Sequence, residues 1–129
     1  MRSDAFRAAV EAKDLTAASG VIADDVVFRS PVVFTPYEGR EALMVVLGAV
    51  LQVFEDFRYT GQAEGNDVAV LTFAARVGDR DLEGVDILRF DADDRVRELT
   101  VMVRPMSGMH ALAERMRELL EAAGATGAG

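Results

Sequence analysis

Between Phe57 and Arg104 the chain reads as four β-strands in succession, and that run limits the folds open to it. Phe57–Ala63, Val68–Val77, Leu82–Phe90 and Val96–Arg104 draw heavily on β-branched and aromatic residues. Gly65-Asn66-Asp67, Gly78-Asp79-Arg80-Asp81 and Asp91-Ala92-Asp93-Asp94 separate them with turn-forming residues. Links this short cannot carry a parallel crossover, so the four strands predict an antiparallel meander. A sheet with one apolar face must bury that face against other elements.

The covering elements lie on both sides of the run. Ser3 and Asp4 predict a cap for a helix that ends near Lys13, with Phe6, Ala9 and Val10 as its apolar stripe. A second helix reads from Thr16 to Ala23, with Leu15, Ala18 and Ile22 inward, and Asp24-Asp25 breaks it. Val26-Val27-Phe28-Arg29 is a short strand halted by Ser30-Pro31, and Val32-Val33-Phe34 reads as a second extended piece. Gly39-Arg40-Glu41 opens a long helix that runs to about Phe54 and is apolar almost all round. Such a helix is covered on more than one side. A last helix, Ser107 to Ala123, places Met109, Leu112 and Met116 on one side, and Gly124–Gly129 should fray.

This order predicts one α+β domain over residues 1–123. Its helices gather on one face of a curved antiparallel sheet wrapped around the long helix. The arrangement is a cone with an internal pocket, open at one end, where a small hydrophobic molecule can sit.

Composition removes several functions. With 14 Lys+Arg against 22 Asp+Glu the net charge is −8, which opposes nucleic acid and anionic membranes as partners. The chain has no cysteine, so disulfides, thiolate catalysis and cysteine zinc sites are excluded. The single histidine, His110, leaves no two-histidine metal motif. The run from Asp91 resembles a calcium loop but has Val96 and Met102 where glycine and glutamate belong, so it reads as a turn. No metal and no cofactor are expected. The N-terminus lacks an apolar leader and no apolar run is long enough to span a bilayer, so a cytoplasmic protein is expected.

Two longer stretches carry a family likeness. Ala23-Asp24-Asp25-Val26-Val27-Phe28-Arg29-Ser30-Pro31, then Tyr37-Glu38-Gly39-Arg40-Glu41-Ala42, resembles the opening of a ketosteroid isomerase-like domain. Val85-Asp86-Ile87-Leu88-Arg89-Phe90-Asp91, with Arg95-Val96 beyond the turn, is similar to the last hairpin of that fold. Together they resemble the nuclear transport factor 2-like superfamily, the group of ketosteroid isomerases and SnoaL-like cyclases. The isomerases use an aspartate base with an oxyanion site of tyrosine and protonated aspartic acid. The resemblance places those three roles on Ser30, Phe6 and Asp86 respectively, so only the aspartic acid is kept. SnoaL-like cyclases rely mainly on one acid/base aspartate, and the likeness implies that lesser requirement here. It also implies a homodimer through the outer sheet face, where Val70, Thr72, Ala74, Val85, Ile87, Thr100 and Met102 would lie.

Alternation puts Leu82, Gly84, Asp86, Leu88 and Phe90 on one face of the third meander strand, apolar except for Asp86. A carboxyl on such a face is either an acid/base group with a raised pKa or a structural partner of a nearby hydroxyl or amide. On the last strand, Leu99, Val101 and Val103 face the pocket. Phe28, Phe54, Tyr59, Leu71 and Phe73 are further lining candidates, each also explicable as core. Tyr37 and Tyr59 are the only phenols available to a ligand, and Ser30 bonds either a ligand or the turn before Pro31. Arg104 has outward parity, so pairing with Asp86 would need a bulge. Two functions stay open: an isomerase or cyclase using Asp86, and a non-catalytic module that binds a ligand or dimerises.

Overall fold

The computed structural model describes residues 1–122; Ala123 and the tail expected to fray, Gly124–Gly129, lie outside the described residues. The chain order is α1 (Asp4–Glu11), α2 (Leu15–Gly20), β1 (Ile22–Arg29), β2 (Tyr37–Glu38), α3 (Arg40–Val53), β3 (Glu55–Glu64), β4 (Val68–Val77), β5 (Arg80–Phe90), β6 (Val96–Arg104) and α4 (Met106–Ala122). The six strands form one curved, unclosed sheet in the order β2-β1-β6-β5-β4-β3. The predicted meander is present, since β3 to β6 pair antiparallel with their sequence neighbours. The sheet is not antiparallel throughout, because β1 runs parallel to β6 with Phe28 opposite Leu99. That pairing crosses between distant parts of the chain, which local strand patterns do not encode.

Three local readings are corrected. Asp24 and Asp25 do not end a helix but stand exposed inside β1, which starts already at Ile22. Asp24 is held there by the Arg40 guanidinium at 2.6 Å. Val32-Val33-Phe34 is irregular, and the short strand after it is Tyr37–Glu38. Ser3 sits at the N-cap of α1, but its hydroxyl does not cap the helix. It donates to Glu64 at 2.6 Å and accepts from the Gln62 amide at 2.7 Å, fastening α1 to β3.

The Gly39-Arg40-Glu41 signal has a plain physical basis. Gly39 adopts φ 95°, which favours glycine, and its N–H donates to the Val26 carbonyl. Arg40 reaches back to the Ile22 carbonyl as well as to Asp24, so the start of α3 is tied to β1. The apolar circumference of α3 is used on several sides: Leu43, Val46, Leu47, Ala49, Leu51 and Val53 are all buried. Helices and inner sheet face share one hydrophobic core, from Phe6 through Phe73 to Met116.

The register of β3 slips twice, between Glu55 and Arg58 and between Tyr59 and Gly61. Each slip inserts an unpaired residue, and such bulges bend a strand and strengthen its twist. Gly84 in β5 permits a second close approach. A side chain there would meet the Met102 carbonyl oxygen and the Phe73 ring, each at 2.5 Å.

Candidate functional site

The helices do not fill the concave side of the sheet. A cavity of about 540 Å³ remains between α1, α3, α4, β1 and the inner face of the meander. That is in the range of small-molecule sites. Its wall is largely apolar, with Leu43, Val46, Leu47 and Val50 from α3 and Leu112 and Met116 from α4. These helix residues were not among the lining residues expected from the sequence. The signal was the all-round apolarity of α3, which fits a helix facing a cavity as well as one packed on two sides.

Asp86 lies on this wall with 8% of its surface exposed. Strand parity put it there: Leu82, Leu88 and Phe90 share its face and are buried, while Glu83 opposite Arg104 points out. Its partner is Tyr59, whose phenol donates to Asp86 Oδ2 at 2.8 Å across the intervening strand β4. Burial raises the Asp86 pKa to about 7, and the Tyr59 hydrogen bond pulls the other way. Burial, followed by the Asp86 charge, pushes the Tyr59 phenol well above its ordinary range. Tyr59 therefore remains a donor at neutral pH while Asp86 is divided between acid and carboxylate.

The Tyr59 ring is fixed by its aromatic neighbours. Phe57 meets it edge-on at 5.0 Å and Phe73 at 6.5 Å, and Phe54 stacks on Phe57 at 5.6 Å. The Arg7 guanidinium lies 5.7 Å from the ring centre on another side. Replacing Tyr59 by Phe keeps this packing and removes only the hydrogen bond to the carboxylate. We expect the titration of Asp86 in Tyr59→Phe, followed by carboxyl-edited NMR or infrared, to move upward by about one pH unit. An unchanged titration would show that the phenol does not act on the carboxylate.

Phe6, Phe28, Ser30, Tyr37, Phe54, Tyr59, Phe73, Leu99 and Val101 line the same cavity as Asp86. Three expected lining residues do not. Leu71 and Leu88 are wholly buried in the core, and Val103 is half-buried against it, all outside the cavity wall. Alternation fixes which face a residue takes, not how far along the strand the cavity extends. Ser30 uses its hydroxyl locally, accepting from the Val32 and Val33 N–H groups at 2.9 and 3.2 Å. Tyr37 stacks on Phe28 at 5.8 Å near the cavity rim. Arg104 points outward and pairs with Glu83, and His110 is exposed. The Asp91 carboxylate accepts from the Asp93 and Arg95 N–H groups and closes its turn.

Comparison with known proteins agrees with this architecture. The model of the SnoaL-like domain matches residues 4–99. A steroid delta-isomerase structure from Pseudomonas aeruginosa is 42% identical, with a TM-score of 0.86 over 93% of this chain and 90% of that one. An uncharacterized protein with a cystatin-like fold from Silicibacter pomeroyi is 28% identical, with a TM-score of 0.89 over 93% of this chain and 85% of the other. At 21% identity, an NTF2-like protein of unknown function from Mesorhizobium loti shares the fold, with a TM-score of 0.69 over 78% of this chain and 85% of that one. A search of curated proteins finds no match. The matched span and these structures together place the chain: it has a nuclear transport factor 2-like fold and belongs to the SnoaL-like domain family.

Proposed function

We propose that this protein is an acid/base enzyme of isomerase or cyclase type, acting on a small, mainly apolar carbonyl compound through Asp86. One observation carries the reading: Asp86 is the buried carboxyl on the wall of a largely apolar cavity, and burial raises its pKa to about 7. A group poised there serves as base in one step and acid in the next. The Asp86 carboxylate removes a proton from the carbon beside the substrate carbonyl, and the C–H electron pair passes into the enolate. Where the substrate carries a β,γ double bond the enolate is conjugated, and the new Asp86 carboxylic acid returns that proton to its γ-carbon as the double bond shifts. In a cyclisation, the enolate carbon instead attacks a second carbonyl, and Asp86 protonates the resulting alkoxide. The apolar wall keeps water from quenching the enolate.

The isomerase side of the reading draws on the Pseudomonas aeruginosa protein, a steroid delta-isomerase. The two lost positions limit the analogy. Ser30 has a hydroxyl committed to backbone N–H groups, and Phe6 offers no donor. All proton transfer therefore falls to Asp86, with Tyr59 holding it. The second reading, a non-catalytic ligand-binding module, rests on those same two losses. A screen of β,γ-unsaturated ketones, including ketosteroids, followed by the absorbance of conjugated product, separates the two. Turnover in the native chain that disappears in Asp86→Asn sustains the enzyme. Equal turnover in both, or ligand binding without turnover, sinks it.

The same reading includes a homodimer through the outer sheet face. Met102 is 55% exposed there, and Val85 and Ile87 beside it are partly exposed. Apolar side chains gathered in this way mark association surfaces. Light scattering at micromolar concentration should give twice the 14.0 kDa chain mass, and a single-chain mass would refute the dimer.

A further inference from the structure

Phe34 is the outlier of the surface, with 100% of its area exposed. It sits in residues 30–36, the loop joining β1 to β2. Pro31, Val32 and Val33 of that loop line the cavity, so Phe34 is one residue beyond its wall. The base of the loop is firm: Phe28 pairs with Tyr37 in the sheet, and their rings stack. The first turn is held by the Ser30 hydroxyl. Beyond Val33 the next residue paired in the sheet is Tyr37. The exposed Arg117 and Glu121 of α4, paired with each other, also line the cavity. Exposing a phenylalanine ring to water forgoes the stabilisation its burial would bring. The neighbouring loop residues Val32 and Val33 already offer apolar surface on the cavity wall.

We propose that Phe34 is a ligand-binding residue: the 30–36 loop folds over an occupied cavity and lays the Phe34 ring on the outer, apolar end of the ligand. This rests on the pocket reading above and deepens it. It requires a substrate long enough to run from Asp86 to the mouth, with an apolar rather than charged outer end. A bilayer is the weaker occupant for the ring, because a net charge of −8 opposes approach to anionic lipid.

The test uses the full chain with two probes, the neutral dye Nile red and the weakly absorbing ketone cyclododecanone. Phe34→Ala should bind Nile red about tenfold more weakly, through faster dissociation. Its unliganded unfolding midpoint should equal the native one, since the ring is fully exposed. The chain has no tryptophan, so Phe34→Trp carries a single reporter. Acrylamide should quench that indole freely in the empty protein and several-fold less at saturating cyclododecanone. Native dye affinity in Phe34→Ala, or an indole equally quenchable with ligand, overturns the proposal. So does a Phe34→Ala variant whose only change is a lost dimer in light scattering or lost binding to phosphatidylglycerol vesicles. Val101→Trp, which puts a bulky ring into the cavity, identifies a different failure. If that variant folds by circular dichroism and takes up Nile red with native affinity, or if neither probe binds the native chain, the pocket reading itself falls and the lid with it.

Discussion

Asp86→Asn is expected to unfold at a temperature on the order of 10 °C above the native protein at pH 8, and at nearly the same temperature at pH 4. The folded Asp86 pKa of about 7 lies above the ordinary unfolded value near 4. Between those values the folded state holds the extra proton, so native stability falls as pH rises through that window and levels off above it. The difference is roughly 4 kcal/mol, taken as about three pH units at 1.36 kcal/mol each. Asparagine cannot ionise, keeps the shape, and still accepts from Tyr59, so its profile lacks this fall. The same substitution should lower turnover by about a thousandfold, within the usual worth of a positioned acid/base group. A group that stabilises the protein when removed and disables it at the same time belongs to function rather than to folding. Parallel stability profiles for the two proteins would mean that Asp86 is not a strained carboxyl and would end this account.

Gly84→Ala should be among the most damaging single-methyl changes in the chain, costing about 3 kcal/mol. The added carbon would meet the Met102 carbonyl oxygen and the Phe73 ring at 2.5 Å. The carbonyl belongs to the neighbouring strand and has no rotamer through which to retreat. Phe73 is 2% exposed and lies against Phe54, Phe57 and Tyr59, so a displaced ring disturbs the phenol that holds Asp86. Gly48→Ala is the matched control. It lies within α3, and its new methyl would touch only Leu15 at an ordinary 3.6 Å. It should gain about 0.5–1 kcal/mol, because alanine loses less conformational freedom in a helix than glycine. Chemical denaturation midpoints measure both. A neutral Gly84→Ala would mean that the strands can part at this point, contrary to the packing described.

The two variants mark what can be seen in the sequence. The meander was legible because period-two alternation and turn residues are local properties, and the same alternation placed Asp86 inward. The phenol that partners it was not. Tyr59 stands two strands away, and the slip between Tyr59 and Gly61 offsets β3 against β4, so no count of residues relates it to Asp86. The parallel contact of β1 with β6 was missed for a related reason, since it depends on assembly of the whole sheet. Leu71, Leu88 and Val103 show the opposite error. Their face was right, but they lie in or against the packed core rather than on the cavity wall, and the extent of a cavity is decided by helix placement rather than by strand pattern.

The β1–β6 pairing also orders events in time. The meander strands meet through short hairpins, whereas β1 must wait for a partner emerging near the end of the chain. Contacts of such high sequence separation form late and slow the folding rate. Phe28 and Leu99, which stand opposite each other in that pairing, are both on the cavity wall. During synthesis the cavity is thus finished only after β6, and then α4 with Leu112 and Met116, have left the ribosome, and a nascent chain stopped short of them carries an open, half-lined groove.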